Sequence, residues 1–193
     1  MTNETTLIIP GFLGSEDAHW QSWIERQICS SYRVQQEWDK PGLSHWVEAI
    51  IQAIGSTNDR VWLLAHSFGC LAAVTAGLER ADKVGGAMLI APADPGRFTL
   101  QGIKNTQSAD QESIQAMIPG EPLPFPSLVI ASSNDPWMQS NKAQLWSSCW
   151  GSEFICLQNA GHINVEAGFG PWPEGLNYFK RFQETHQKAL QYT

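Results

Sequence analysis

The sequence predicts an α/β protein, a three-layer sandwich in which helices cover both faces of a mostly parallel sheet of about six strands. Short β-branched or apolar runs alternate along the chain with segments of helical period, which is the pattern of βαβ units. The run Val61–Ala65 is continuously apolar, as expected for a central strand buried on both faces. The length of 193 residues fits one core, so we expect residues 1–193 to form a single domain.

The elements follow each other in alternating order, each strand closed by turn residues or followed directly by a helix. The predicted strands are 7–9, 32–38, 61–65, 87–91, 127–132 and 153–157. The predicted helices are 17–30, one that begins near Ser44, 68–80 and 173–190.

The stretch 92–126 is the longest without a clear core element. It contains a predicted short helix near 110–117 and ends in a proline-rich run. Two interpretations stay open: an irregular surface connection, or a small cap or pocket wall over the carboxyl edge of the sheet.

Charge and composition exclude several classes of partner. The formal net charge is −7 and no basic stripe is present, so we expect neither nucleic acid nor an anionic membrane surface as a partner. No signal peptide or membrane-spanning apolar run is visible, which favours a cytoplasmic location. The four cysteines show neither a CxxC pair nor a metal-ligand spacing, and we expect reduced thiols and no metal.

The strongest local pattern joins the strand 61–65 to a helix through His66-Ser67-Phe68-Gly69. A serine becomes a useful nucleophile where its hydroxyl is exposed and a base reaches it. A sharp strand-to-helix turn achieves this, and it needs small residues two positions either side of the serine because the two backbones nearly touch. Ala65, where glycine is more usual, and Gly69 fill these positions. Ser67 as a mere helix cap is the alternative; its place at the end of a central strand favours the nucleophile.

A histidine in a later loop is the candidate base. In α/β-hydrolases an acid and then a histidine follow the serine along the chain. His162 follows the strand 153–157, at the carboxyl edge where a base would have to lie. His186 lies within the last predicted helix among polar residues, which is typical of a solvated helix face.

The candidate acid is Asp135, which follows the strand 127–132. Asp135 precedes a proline, so a helix cap is the alternative role. Asp94 and Asp110 are competitors in less suitable positions. Ser67, Asp135 and His162 thus follow three strands in the required order, and we predict that Asp135 holds the imidazole of His162 in its working tautomer.

Backbone N–H groups are expected to bind the oxyanion of an acyl-transfer reaction. One belongs to Phe68, directly after the serine. The other comes from the glycine-bracketed loop 10–14, with Phe12 the first candidate and Leu13 the second. His66 is expected to point away from Ser67, and Cys70 to be a small core residue. His19 is placed to reach the mouth of the site through the first loop.

These motifs together resemble the small serine hydrolases typified by YdeN and retinoblastoma-binding protein 9, a branch of the α/β-hydrolase superfamily. The resemblance covers nearly the whole chain. It implies a compact single-domain hydrolase with a triad at Ser67, Asp135 and His162, and neither a metal nor an organic cofactor. The resemblance does not indicate which substrate is cleaved. The motifs are Pro-Gly-Phe-Leu-Gly at 10–14, His-Trp-Gln-Ser-Trp at 19–23, Ala-His-Ser-Phe-Gly at 65–69, Ser-Ser-Asn-Asp-Pro at 132–136 and Gly-His-Ile-Asn at 161–164.

The leading hypothesis is therefore hydrolysis of a small ester, thioester or amide through an acyl-enzyme, with carboxylesterase activity foremost and thioesterase or peptidase activity open. The alternative is a protein-interaction module on a hydrolase fold with weak or incidental catalysis, an idea motivated by the nine tryptophans. A dinucleotide-binding protein is excluded because the first loop lacks the required glycine spacing.

Overall fold

The computed structural model describes residues 4–105 and 111–190, with side chains up to residue 187. The strands are β1 (Glu4–Ile9), β2 (Ser31–Arg33), β3 (Arg60–His66), β4 (Val84–Ile90), β5 (Phe98–Thr99), β6 (Gly102–Ile103), β7 (Ser127–Ser132) and β8 (Glu153–Leu157). The helices are α1 (Trp20–Glu25), α2 (Leu43–Gly55), α3 (Phe68–Glu79), α4 (Ser140–Trp150) and α5 (Pro173–Leu190).

The main sheet has six strands in the order β2-β1-β3-β4-β7-β8, and every neighbouring pair is parallel. The chain first passes from β1 out to β2 and then returns to place β3 on the other side of β1. The carboxyl ends of β1 and β3 therefore flank the crevice in which open α/β sheets bind their ligands.

Two hydrophobic cores confirm the predicted three-layer arrangement, because successive side chains of a strand point to opposite faces. Leu63 and Ala65 of β3 belong to the core under α2, α3 and α4. Trp62 and Leu64 belong to the core under α1 and α5. The same alternation points His66, the last residue of β3, toward the α1 face.

Two predicted elements are much longer than the observed ones, and β1 and β4 each begin three residues earlier than predicted. The helix expected at 17–30 is only α1 (Trp20–Glu25), since β2 begins at Ser31 and the chain must already turn back beside β1. The strand expected at 32–38 is only β2 (Ser31–Arg33): beyond it, Trp38 binds the first loop by accepting a hydrogen bond from Leu13 N–H instead of extending the sheet edge.

The helix α4 was not predicted from the sequence. Its sequence is polar overall, but the buried residues Ala143, Trp146, Ser147 and Trp150 recur at the spacing of one helix face. That face is the signal from which α4 was predictable.

The connection 92–126 is folded where the structure describes it. It contains the antiparallel pair β5–β6 and 3₁₀ turns at Pro95–Arg97 and Ile114–Met117. The predicted helix near 110–117 is thus a 3₁₀ turn in its described part, and residue 110 lies outside the described residues. Phe98 is buried and packs on Phe68. No helix within the described ranges combines the length and apolar character that crossing a membrane requires.

Candidate active site

Ser67 lies at a sharp turn between β3 and α3, with φ 54° and ψ −126°. Its side chain makes no capping hydrogen bond to α3, so the simple cap interpretation does not account for it. A Cβ on Gly69 would lie 2.4 Å from the carbonyl oxygen of Pro10, which makes glycine a requirement there. At the other flanking position the methyl group of Ala65 is fully buried in the core.

Ser67, His162 and Asp135 form a continuous chain of hydrogen bonds. His162 Nε2 is 2.8 Å from Ser67 Oγ, and His162 Nδ1 is 2.9 Å from both carboxylate oxygens of Asp135. A carboxylate accepts from Nδ1–H, so Nε2 is left to accept from the serine hydroxyl. The side chains of His162 and Asp135 are only 9% and 2% exposed, which keeps this chain of bonds shielded from water.

Asp135 does not start a helix. The first turn of α4 follows Gln139, and Asp135 Oδ1 instead accepts a hydrogen bond of 2.8 Å from the N–H of Trp137. This short turn fixes the carboxylate against His162.

The loops that follow β7 and β8 are bonded directly to each other. Asn134 Oδ1 accepts from Gly161 N–H at 2.8 Å and from the Ser132 hydroxyl at 2.9 Å. The Ser132 oxygen in turn accepts from Ala160 N–H at 3.0 Å. Because these bonds join the residues that precede Asp135 to those that precede His162, they set the distance between Asp135 and His162.

The other residues considered as acid, base or nucleophile, where the structure describes them, do not take part in this chain of hydrogen bonds. Asp94 caps the 3₁₀ turn that follows it and pairs with Lys142. His186 pairs with Glu153 at the start of β8, and its ring packs on Phe182. Its side chain is only 24% exposed, so the expected solvated position is wrong, and it lies far from Ser67 at the other end of β8. Asp110 lies outside the described residues. The thiol of Cys70 is buried, burial raises its pKa, and it donates to the carbonyl of Ile90, so it has no role as a nucleophile.

Two backbone N–H groups are available beside Ser67. The N–H groups of Phe12 and Phe68 donate to no acceptor in the part of the chain that the structure describes, whereas Leu13 N–H donates to Trp38 O at 2.8 Å. That bond removes Leu13 as an oxyanion donor and leaves Phe12. The first loop lies tight against Ser67, since a Cβ on Gly11 would be 2.7 Å from Ser67 Cβ.

His66 and Trp20 hold the loop that carries His162, a role that was not predicted from the sequence. His66 Nε2–H donates to the carbonyl of His162 at 3.0 Å, and Trp20 Nε1–H donates to the carbonyl of Ile163 at 2.8 Å. Burial, together with the neighbouring histidines His162 and His19, holds the pKa of His66 well below its ordinary value. Both side chains therefore anchor the loop that carries His162. The available signal was strand alternation, which points His66 toward α1.

A cavity of about 370 Å³ opens above Ser67. Its walls come from the loops after β1, β3, β7 and β8 and from the connection after β4. Phe98 and Trp137 supply apolar surface, and the carboxylates of Glu16 and Glu166 lie at its edge. No Lys or Arg lines it within the described ranges.

A serine on a strand-to-helix turn above a parallel sheet, with a histidine and a carboxylate from later strand ends, defines the class of α/β-hydrolases. A model of the serine hydrolase family matches residues 6–181, and the chain belongs to this family. Among curated proteins, none gives a significant match.

Solved structures agree with the family. A protein described as YdeN-like from Pectobacterium atrosepticum is 38% identical, with a TM-score of 0.84 over 95% of this chain and 92% of its own. The ydeN product of Bacillus subtilis is 18% identical, with a TM-score of 0.72 over 93% and 98%. Est1E of Butyrivibrio proteoclasticus shares the fold at 13% identity, with a TM-score of 0.68 over 98% and 89%.

Proposed function

We propose that this hydrolase cleaves small neutral carboxylic esters through an acyl-enzyme on Ser67, with His162 as the base and Asp135 as its orienting acid. The observation that carries the proposal is the hydrogen-bonded chain from Ser67 Oγ through His162 to Asp135 at the floor of the cavity.

In the first half-reaction Ser67 Oγ attacks the ester carbonyl while His162 Nε2 takes the hydroxyl proton. The N–H groups of Phe12 and Phe68 donate to the oxyanion that forms. Each such donor is worth about 2.7–4 kcal/mol of transition-state stabilisation where this has been measured. Collapse of the intermediate breaks the bond to the alcohol oxygen, which receives the proton from His162.

In the second half-reaction water attacks the acyl-serine and gives a proton to His162 Nε2. The second intermediate releases the carboxylic acid and returns the proton to Ser67 Oγ. Asp135 stays ionised throughout and stabilises the imidazolium form of His162.

The cavity supports a small and uncharged substrate. Its volume suits an ester of modest size, and its only charged lining groups in the described ranges are the carboxylates of Glu16 and Glu166. Thioesters and amides can follow the same steps, and amides are the most demanding because an amine leaves less readily than an alcohol or a thiol.

The positions of the tryptophans do not support the alternative of a protein-interaction module. None of the nine tryptophans is exposed: Trp23, Trp38 and Trp137 are partly buried and the other six are buried. They form core and cavity wall, which leaves no aromatic docking surface made of them.

The test is labelling by a fluorophosphonate probe combined with hydrolysis of p-nitrophenyl butanoate. We expect the wild type to be labelled and active, and Ser67→Ala to be neither. Ser67→Ala and His162→Ala should each lower turnover by about 10⁶-fold if the three residues act as a unit, as in subtilisin.

Labelling that persists in Ser67→Ala would refute the nucleophile assignment. A folded wild type that neither labels nor cleaves short esters would favour the interaction module instead.

A further inference from the structure

His19 occupies a place in the cavity that the proposed reaction does not use. The residue is only 3% exposed, and it lines the same cavity as Ser67 and His162. Its ring packs on that of His66, with 5.0 Å between the ring centroids. The small exposed part of the ring therefore faces the substrate space.

One tautomer of His19 is fixed by its neighbour. Nδ1 of His19 accepts a hydrogen bond of 3.1 Å from the backbone N–H of Gln21 at the start of α1. An amide N–H only donates, so Nδ1 carries no proton and Nε2 does. Burial lowers the pKa of His19 to about 4, helped by the positive charges of Arg33 and protonated His162. The ring is thus neutral at physiological pH.

The Nε2–H group has no acceptor among the described residues, and it is not one of the fully enclosed side-chain atoms that lack a partner, so it opens onto the cavity. A donor that opens onto a cavity binds water in the free protein, and a ligand that displaces this water must offer an acceptor in its place to keep the hydrogen bond. In a substrate cavity the natural partner is an atom of the substrate.

We propose that His19 is a substrate-binding residue whose Nε2–H donates to an ether oxygen that an uncharged substrate carries beside its ester group. The inference rests on the proposed esterase function and narrows its substrate class. An uncharged donor suits an uncharged acceptor, and the nearby carboxylates of Glu16 and Glu166 oppose an anionic one.

Two substitutions separate the donor from the helix cap. In His19→Asn the side-chain oxygen replaces Nδ1 as the cap for Gln21 N–H, and the donor at Nε2 is lost. In His19→Gln the amide nitrogen reaches the position of Nε2 and the cap is lost. We therefore expect His19→Asn to lose the hydrogen bond to the substrate and to keep the capping bond of α1. We expect the reverse for His19→Gln.

The experiment compares esters that differ by one oxygen in place of a methylene group. On the acyl side the pair is p-nitrophenyl methoxyacetate and p-nitrophenyl butanoate. On the alcohol side it is 2-methoxyethyl butanoate and butyl butanoate. The ratio of kcat/KM within each pair is measured for the wild type and both variants, so that intrinsic differences in ester reactivity cancel between proteins.

For one pair of esters we expect the ratio of kcat/KM, oxygenated ester over hydrocarbon ester, to fall about 3- to 10-fold in His19→Asn, as for the loss of a single hydrogen bond. In His19→Gln the same ratio should stay near that of the wild type. The pair that responds tells which side of the ester His19 contacts.

Equal loss for all the esters in His19→Asn, or ratios that do not change, would overturn the inference while leaving the esterase function intact. If the folded wild type cleaves none of the esters, the proposed function fails and the inference fails with it.

Discussion

Ser67 adopts a backbone conformation that costs a residue other than glycine on the order of 1–3 kcal/mol. The surrounding backbone holds it in place. Its N–H donates to Ile90 O at 3.0 Å, and its carbonyl accepts from Cys70 N–H and Ala93 N–H at 3.0 and 3.2 Å. Bonds to the end of β4, to α3 and to the following loop thus determine the conformation of the proposed nucleophile more strongly than its own preference does.

At the residue scale, Asp135→Asn tests the role of the carboxylate. The amide retains the shape of the side chain but does not enforce the Nδ1–H tautomer of His162, so we expect kcat to fall about 10⁴-fold with the fold retained. Steady-state kinetics on p-nitrophenyl butanoate, with circular dichroism to check folding, gives the answer.

Asp94→Asn is the matched control for that change. Asp94 is the aspartate that follows β4, and its carboxylate pairs with Lys142 rather than with a histidine. We expect its kcat to stay within about twofold of the wild type. Similar losses in the two variants would show that Asp135 acts only through general stability.

The buried histidines predict a loss of stability in acid. The pKa of His19 is lowered to about 4 and that of His66 lies well below its ordinary value. Below pH 6.5 the unfolded chain therefore binds protons that the folded chain does not, and the free energy of unfolding falls as the pH drops from 6.5 toward 4. His19 alone accounts for about 2 kcal/mol at pH 5.

Urea denaturation at pH 7.5 and pH 5 measures this loss. His19→Asn keeps the helix cap but removes the titrating ring, so its loss between the two pH values should be smaller by about 2 kcal/mol. The same loss in the variant and the wild type would contradict the assignment.

At the scale of elements, the bonded loops after β7 and β8 predict a positioning role for Asn134. Asn134→Ala removes the acceptor for Gly161 N–H and the Ser132 hydroxyl, and we expect kcat to fall about 10- to 100-fold because the acid and base shift relative to each other. KM should change little, since Asn134 does not line the cavity.

Ser127→Ala tests the opposite end of the same strand pair. Ser127 Oγ is 2.6 Å from Ser152 Oγ, far along β7 from the candidate site. We expect a lower melting temperature with kcat unchanged. A loss of kcat there as large as in Asn134→Ala would mean that any weakening of β7 and β8 disturbs the site.

The contact between α3 and the first loop predicts that Gly69→Ala is destabilising. The added methyl group meets the carbonyl oxygens of Pro10 and Ile9 at 2.4 and 2.8 Å, an overpacking that costs about 1–3 kcal/mol or more. Gly120→Ala is the control, because nothing lies within 4 Å of its added methyl group. Thermal denaturation distinguishes them, and equal melting temperatures would contradict the close approach.

The strands β7 and β8 and the helix α5 were predictable to the residue, since their apolar patterns are bounded by clear turn signals. The errors arose where tertiary contacts override local preference. Residues 26–30 have a helical pattern, yet Ser31 begins β2 and its hydroxyl binds the carbonyls of Glu25 and Ile28. The polar helix α4 shows the converse, because packing of one narrow face is enough to hold it.

At the scale of the whole molecule, charge predicts a preference among thioesters. The net charge of −7 and the carboxylates at the cavity repel polyanions. We expect a lower kcat/KM for butyryl-coenzyme A than for S-butyryl-N-acetylcysteamine, with a gap that narrows as salt is added.

Replacing both Glu16 and Glu166 by Gln should narrow the same gap at low salt. Glu121→Gln is the control, because this exposed carboxylate lies away from the cavity lining. A higher kcat/KM for the coenzyme A ester than for the neutral ester in the wild type would contradict an electrostatic preference.

Some features of the candidate site can be predicted from the sequence, and others depend on contacts between distant parts of the chain. The structure brings Ser67, Asp135 and His162 together, and chain order and strand ends suffice to predict that they meet. The bonds from His66 and Trp20 to the His162 loop, and the fixed tautomer of His19, depend on distances across separate elements. No spacing along the chain encodes such distances.

The two small residues on either side of Ser67 have unequal steric demands, and this bears on how distant relatives are recognised. The backbone around Gly69 excludes a methyl group, whereas that of Ala65 sits comfortably in the core between Ile9 and Leu89 of the adjoining strands. A search pattern that requires glycine two residues before and two residues after the serine does not match this chain. The pattern that expresses the physical requirement is a small residue, any residue, serine, any residue and then glycine.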